Sequence, residues 1–137
     1  ELPSSAERAR VQLAERGLGD RTATAPQSFF EPVPVGGDIY VLAQVLHNWP
    51  DAEAGLILSR VAEAAGSARV LIVERISGAG GHDHDAEFDL LMFAAFGGGE
   101  RTVAEYAALA AESGLELVSA VPILDELHLI ELRRAES

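Results

Sequence analysis

Residues 38–75 read DIYVLAQVLHNWPDAEAGLILSRVAEAAGSARVLIVER, and this stretch decides the fold. Asp38 to Leu46 is almost continuously apolar, with Ile, Tyr and Val, as expected of a strand covered on both faces. Trp49, Pro50 and Asp51 open the next element, in which Ala54, Ile57, Leu58, Val61, Ala62 and Ala65 recur at helical spacing. Gly66 suits the left-handed residue that closes a helix. Arg69 to Arg75, RVLIVER, reads as a second strand. Strand, helix and strand with short joints form a βαβ unit, which makes the two strands parallel and the crossover right-handed.

Upstream, Ser4 and Glu7 have the spacing of a capping box, predicting a helix to Arg16 that ends at Gly17. GDRTATAPQSFFEPVPVGG, rich in proline and glycine, holds at most one short strand at Arg21 to Ala25. Downstream of the βαβ unit, Phe88, Leu91, Met92, Ala95 and Phe96 mark a helix that GGGERT breaks. Thr102 and Glu105 repeat the capping-box spacing for a helix ending near Gly114. Leu115 to Val121 and Leu127 to Arg133 read as two closing strands of a hairpin.

Composition narrows the function. The 137 residues fit one domain, and 48% hydrophobic with 23% charged residues is an ordinary globular balance. A net charge of −12 with scattered basic residues repels a phosphate backbone, so no nucleic-acid partner is expected. The absence of cysteine excludes disulfides, thiolate metal sites and a cysteine nucleophile. No stretch has the length of an apolar membrane span and no signal peptide is visible, so no membrane partner and a cytoplasmic location are expected. The chain opens at Glu1 in ELPSSAERAR, which reads as a strand running into a helix and suggests a piece of a longer protein.

Ligands of an open parallel sheet sit beyond the carboxyl ends of its strands. His47 leaves the first strand there and Glu74 the second, so both are expected at one rim. An imidazole takes a proton near neutral pH, and a carboxylate on its other nitrogen fixes the tautomer. Glu100, in a glycine-rich loop, is a candidate second carboxylate. From position alone, His47 serves packing as readily as catalysis, Glu74 a surface ion pair near Arg75, and Glu100 with Arg101 a simple turn. GHDHD, ending at Asp85, alternates imidazoles and carboxylates, but a glycine-rich loop is not preorganised, and a solvated loop with no metal is expected. Phe29 and Phe30 either offer a ring to a flat ligand or pin their loop into the core.

Taken in order, ELPSSAERAR, GLGDR, SFFEPVP, GGDIYVLAQVLHNWPD, VLIVERI, DLLMF and GGGERTVAEYAALAAESGLEL resemble S-adenosylmethionine-dependent O-methyltransferases of the plant caffeate type and their bacterial polyketide-tailoring relatives. The resemblance runs over nearly the whole chain, and LHNWPD and GGGERT are its most specific pieces. It implies that residues 1–137 are the C-terminal portion of the catalytic domain. The fold expected is α/β, a Rossmann-like methyltransferase sheet, mostly parallel, with a C-terminal antiparallel hairpin. That sheet would be incomplete, its first strand, glycine-rich turn and N-terminal helical domain lying before Glu1, and an unpaired strand edge would remain.

The resemblance also assigns residues. His47 falls on the family's general base, and Glu74 and Glu100 on the two acids that orient it. Asp89 and Met92 fall on the helix lining the acceptor pocket, and Glu1 on the acid that binds the cofactor's ribose. Phe29 would pack on adenine, with Ser28 giving a weaker hydroxyl contact because Gln27 and Ser28 stand where the family often has Gly-Asp. Ala43 replaces a lysine of plant members. The activity implied is methyl transfer from S-adenosylmethionine to a hydroxyl, phenolic for preference, of a small aromatic or polyketide-type product, in a full-length homodimer, the isolated piece being inactive. The alternatives are a hydroxylase or decarboxylase on the same scaffold and a non-enzymatic module.

Overall fold

The computed structural model describes residues 3–77, 98–124 and 127–136, in two compact units, Glu1–Pro32 and Val33–Ser137. The segment predicted as a helix around Phe88 to Phe96 lies outside the described residues, as do GHDHD, Glu1, Asp89 and Met92.

In the first unit, α1 spans Pro3–Glu15. Ser4 lies inside the helix rather than at its cap, and the Glu7 carboxylate accepts from Arg10 Nε and Nη2 at 3.0 and 2.7 Å. A guanidinium three residues on has outcompeted the capping geometry expected of Ser4 and Glu7. The C-terminus closes as expected: Gly17 takes φ +70°, its N–H reaches the Ala14 carbonyl, and the Leu18 N–H reaches that of Leu13. This is the Schellman pattern. A 3-10 turn follows at Gly19–Arg21. Thr22 is extended, yet among the described residues no strand pairs with 21–25, so the short strand expected there is not formed.

The second unit is a four-stranded mixed sheet in the order β1-β2-β4-β3, with β1 at Ile39–Ala43, β2 at Arg69–Arg75, β3 at Leu115–Leu124 and β4 at Leu127–Arg134. β1 and β2 are parallel with Ala43 beside Val73, as the βαβ reading requires. The expected C-terminal hairpin is present, and β4 inserts between β2 and β3, antiparallel to both. Two of the three pairings in this portion are therefore antiparallel.

The linking helix α2, Asp51–Ala65, buries Ala54, Ile57, Leu58, Val61, Ala62 and Ala65, the face its periodicity predicts. α3, Val103–Glu112, starts on a full capping box: Glu105 N–H donates to Thr102 Oγ1, and Thr102 N–H donates to the Glu105 carboxylate. It buries Tyr106, Leu109 and Ala110 and packs against α2 and β3. Ser113 Oγ at its end reaches the Gly55 carbonyl of α2 at 3.2 Å.

Two sequence expectations for β1 are corrected. β1 stops at Ala43 rather than Leu46, because Gln44 adopts φ +52° and turns the chain out of the strand direction. β1 is not covered on both faces, since Ile39 and Val41 are exposed on the side away from buried Leu42. Its outer edge has no partner strand among the described residues. β2 alternates, with Val70, Ile72 and Glu74 buried, Leu71, Val73 and Arg75 half-buried and Arg69 exposed. A period of two thus carries a carboxylate onto the core face, in line with two aliphatic side chains.

Candidate functional site

The parallel register ends β1 and β2 side by side, and the chain leaving β1 turns back over the end of β2. Gln44 N–H still bonds the Val73 carbonyl at 2.9 Å, and Leu46–Asn48 then form a 3-10 turn. Internal bonding of that turn is sparse: Asn48 N–H to Val45 at 3.2 Å and Trp49 N–H to Leu46 at 3.1 Å.

Glu74 supplies what the turn lacks. Its side chain is 0% exposed, which excludes a surface ion pair. A buried carboxylate is tolerated only when its oxygens are bonded. Here Oε1 accepts the N–H groups of Val45 and Leu46, both at 2.8 Å, and Oε2 lies 2.6 Å from His47 Nδ1. An ionised carboxylate can only accept, so with Glu74 charged this contact is made by a proton on Nδ1. The His47 side chain is 16% exposed, so part of the ring reaches the surface. Across β4, His128 stands opposite Glu74 in the ladder.

The Glu100 side chain is only 2% exposed, and its carboxylate lies 2.7 Å from the Arg75 guanidinium. Of the three groups expected at one base, His47 and Glu74 are in direct contact, and Glu100 is held one residue further along β2 by Arg75.

Sequence reasoning passed over Arg101 and Gly98. Arg101 is buried, and its Nη1 donates to the Leu46 carbonyl at 2.9 Å. Nη2 donates to the Trp49 carbonyl at 2.8 Å, and Nε and Nη2 both reach Asp51 Oδ1, at 2.9 and 2.8 Å. Gly98 packs directly on the turn: a Cβ there would collide with the His47 carbonyl and lie 2.8 Å from Asn48 C and Trp49 N. The available signal was glycine and arginine around Glu100 in GGGERT. Tyr106 completes the surroundings, its guanidinium neighbour Arg101 lying 6.0 Å from the ring centroid. Burial raises the Tyr106 phenol far above its ordinary range, the Glu74 charge pushes the same way, and Arg101 opposes.

Ser28 and Phe29 belong to the first unit. They form a turn in which Glu31 N–H donates to the Ser28 carbonyl at 3.2 Å and Phe30 N–H donates to Ser28 Oγ at 3.3 Å. Ser28 is exposed and Phe29 half-buried, so a hydroxyl donor and part of an aromatic ring stay accessible. Among the described residues no cluster of three or more His, Cys, Asp or Glu has metal-binding geometry, and no helix is long and apolar enough to cross a membrane.

Comparison with known proteins shows the same chain organisation elsewhere. The 2,7-dihydroxy-5-methyl-1-naphthoate 7-O-methyltransferase of Streptomyces carzinostaticus is 43% identical over 124 residues, covering 90% of this chain and 37% of that protein. Aclacinomycin 10-hydroxylase RdmB of Streptomyces purpurascens is 41% identical over 125 residues, covering 87% of this chain and 33% of that protein. The crystal structure of an O-methyltransferase from neocarzinostatin biosynthesis, in complex with S-adenosylmethionine and 2-hydroxy-5-methyl naphthoic acid, superposes with a TM-score of 0.91 at 40% identity, over 98% of this chain and 40% of that one. The chain thus spans less than two fifths of the length of these curated relatives. Residues 1–116 match the O-methyltransferase domain, and with these identities the chain belongs to the O-methyltransferase domain family.

Proposed function

We propose that this chain is the C-terminal portion of the catalytic domain of an S-adenosylmethionine-dependent O-methyltransferase acting on a small hydroxylated aromatic compound. The observation that carries the reading is the 2.6 Å contact between His47 Nδ1 and Glu74, which leaves Nε2 as the ring nitrogen that would meet the acceptor. In the reaction, the acceptor hydroxyl gives its proton to Nε2 while its oxygen forms a bond to the incoming methyl carbon. Glu74 holds the ring in the useful tautomer and stabilises the imidazolium that results. General-base assistance of this kind is worth ~10²–10⁴ in rate. A phenol suits an imidazole base better than an alkanol, because the difference in acidity is smaller. Glu100, in its ion pair with Arg75, is the second acid near this rim.

S-adenosylmethionine, when bound, supplies a methyl group on a sulfonium and departs as the neutral thioether. The turn at Ser28 and Phe29 fits such a group, offering part of a ring to a flat heterocycle and a hydroxyl proton to one of its nitrogens. Glu1 at the ribose, and Asp89 and Met92 at the acceptor, complete the proposed contacts. The full-length enzyme is proposed to be a cytoplasmic homodimer.

A second reading is favoured by one relative, the hydroxylase RdmB, whose similarity to this chain is nearly as high. Mass spectrometry separates the two. The full-length protein, incubated with methyl-labelled S-adenosylmethionine and 2,7-dihydroxy-5-methyl-1-naphthoate, is expected to add one labelled methyl to the naphthoate. Gain of one oxygen without label would establish the hydroxylase, and absence of S-adenosylmethionine binding in calorimetry would favour a non-enzymatic module.

A further inference from the structure

We propose that Arg101 is a positioning residue for the His47 base, holding the Leu46–Trp49 turn by its carbonyls while Glu74 holds it by its amides. The inference rests on the reading of His47 as the base. Leu46 shows the arrangement at one residue: its N–H donates to Glu74 at 2.8 Å and its C=O accepts from Arg101 at 2.9 Å. Two buried ions of opposite sign thus grip the same residue from opposite ends, immediately before the histidine.

The turn needs such support. Its own backbone bonds are the two weaker ones at 3.1 and 3.2 Å, whereas those from the two ions run from 2.8 to 2.9 Å and are charge-assisted. The Arg101 fork spans from Leu46 to Trp49, so it fixes the carbonyls on both sides of His47. Asp51 anchors the other edge of the guanidinium plane, and Gly98 presses on the backbone between, with no room for a side chain. The planar fork explains why arginine and not lysine stands here. Displacing a reacting group by about 1 Å costs ~10²-fold in rate, so a turn that sets the direction of Nε2 bears directly on turnover.

The test uses the full-length protein with S-adenosylmethionine and 2,7-dihydroxy-5-methyl-1-naphthoate. Arg101→Met is expected to lower kcat ~10²-fold while KM for either substrate changes less than about threefold. Arg101→Lys is expected to recover part of that loss, and Arg101→Met added to His47→Ala to cause no further loss. Wild-type kcat in a folded Arg101→Met, or losses that simply add in the double variant, would overturn the proposal. Full turnover in His47→Ala would instead remove the base reading on which it rests. A readout independent of turnover is the ¹⁵N spectrum of the His47 ring, followed in Arg101→Lys if the methionine variant does not fold. A shift away from the Nδ1–H tautomer supports the proposal, and ring shifts identical to wild type contradict it.

Discussion

The carboxylate of Glu74 and the imidazole of His47 lie 2.6 Å apart although 27 residues separate them in the chain. The βαβ unit alone closes that distance. Parallel strands in register end together, α2 spans the interval, and the turn after β1 folds onto the last core-facing side chain of β2.

Removing Glu74 is therefore expected to damage both stability and turnover. Glu74→Ala leaves the Val45 and Leu46 N–H groups and the imidazole without their buried acceptor, at a cost of roughly 1–3 kcal/mol for each unsatisfied group. Urea unfolding should show a midpoint well below wild type. Glu74→Gln retains the shape and is expected to fold, with kcat reduced ~10²-fold and substrate affinity nearly intact. Equal kcat for Glu74→Gln and wild type would exclude an orienting carboxylate.

Gly98→Ala is expected to be costly despite its size. The methyl would force the backbone of His47–Trp49 outward, and overpacking of this kind costs about 1–3 kcal/mol. Because the displaced segment carries His47, the loss in kcat should exceed that of a variant of equal stability made elsewhere, for example in the buried face of α2.

Gln44→Gly should stabilise the protein. Gln44 sits at φ +52°, where a residue with a Cβ is strained by about 1–3 kcal/mol and glycine is not. Its side chain is exposed, so little packing is lost. Thermal unfolding should move upward; a lower midpoint would show that the glutamine side chain contributes more than its backbone strain costs.

The capping box of α3 gives a pH-dependent term. The backbone N–H of Thr102, and then its hydroxyl, hold the Glu105 carboxyl below its ordinary value of 4.5. A lowered native value means stability that is present above pH 4.5 and lost as pH falls through the native value. Thr102→Ala should cost ~1 kcal/mol at neutral pH, and the difference from wild type should shrink as the solution is acidified below that point.

Local signals carried most of the fold. The apolar face of α2, Gly17 and Gly66 at helix ends, the Thr102–Glu105 box and the span of β2 all follow from periodicity or backbone preference, which act over a few residues. The failures lie where a distant or competing partner decides. Ser4 and Glu7 had the right spacing, but Arg10 took the carboxylate. Nothing in the residues after Val41 announces a left-handed Gln44, so β1 reads three residues too far at its C-terminal end. Arg21 to Ala25 has strand-like residues and no strand beside it among those described.

At the site, His47 and Glu74 were legible because strand ends are predictable from topology. Arg101 was not, since its contacts reach back 50 to 55 residues, half of them to backbone carbonyls, which leave no mark on the identity of the residues that bear them.

On the proposed mechanism, Nε2 of His47, held by Glu74, removes the acceptor proton. The most direct test is single-turnover methyl transfer by His47→Gln in the full-length protein, with cofactor binding followed by calorimetry. Loss of a general base is expected to lower the rate by ~10²–10⁴ with cofactor affinity unchanged. A wild-type transfer rate in that variant would contradict it.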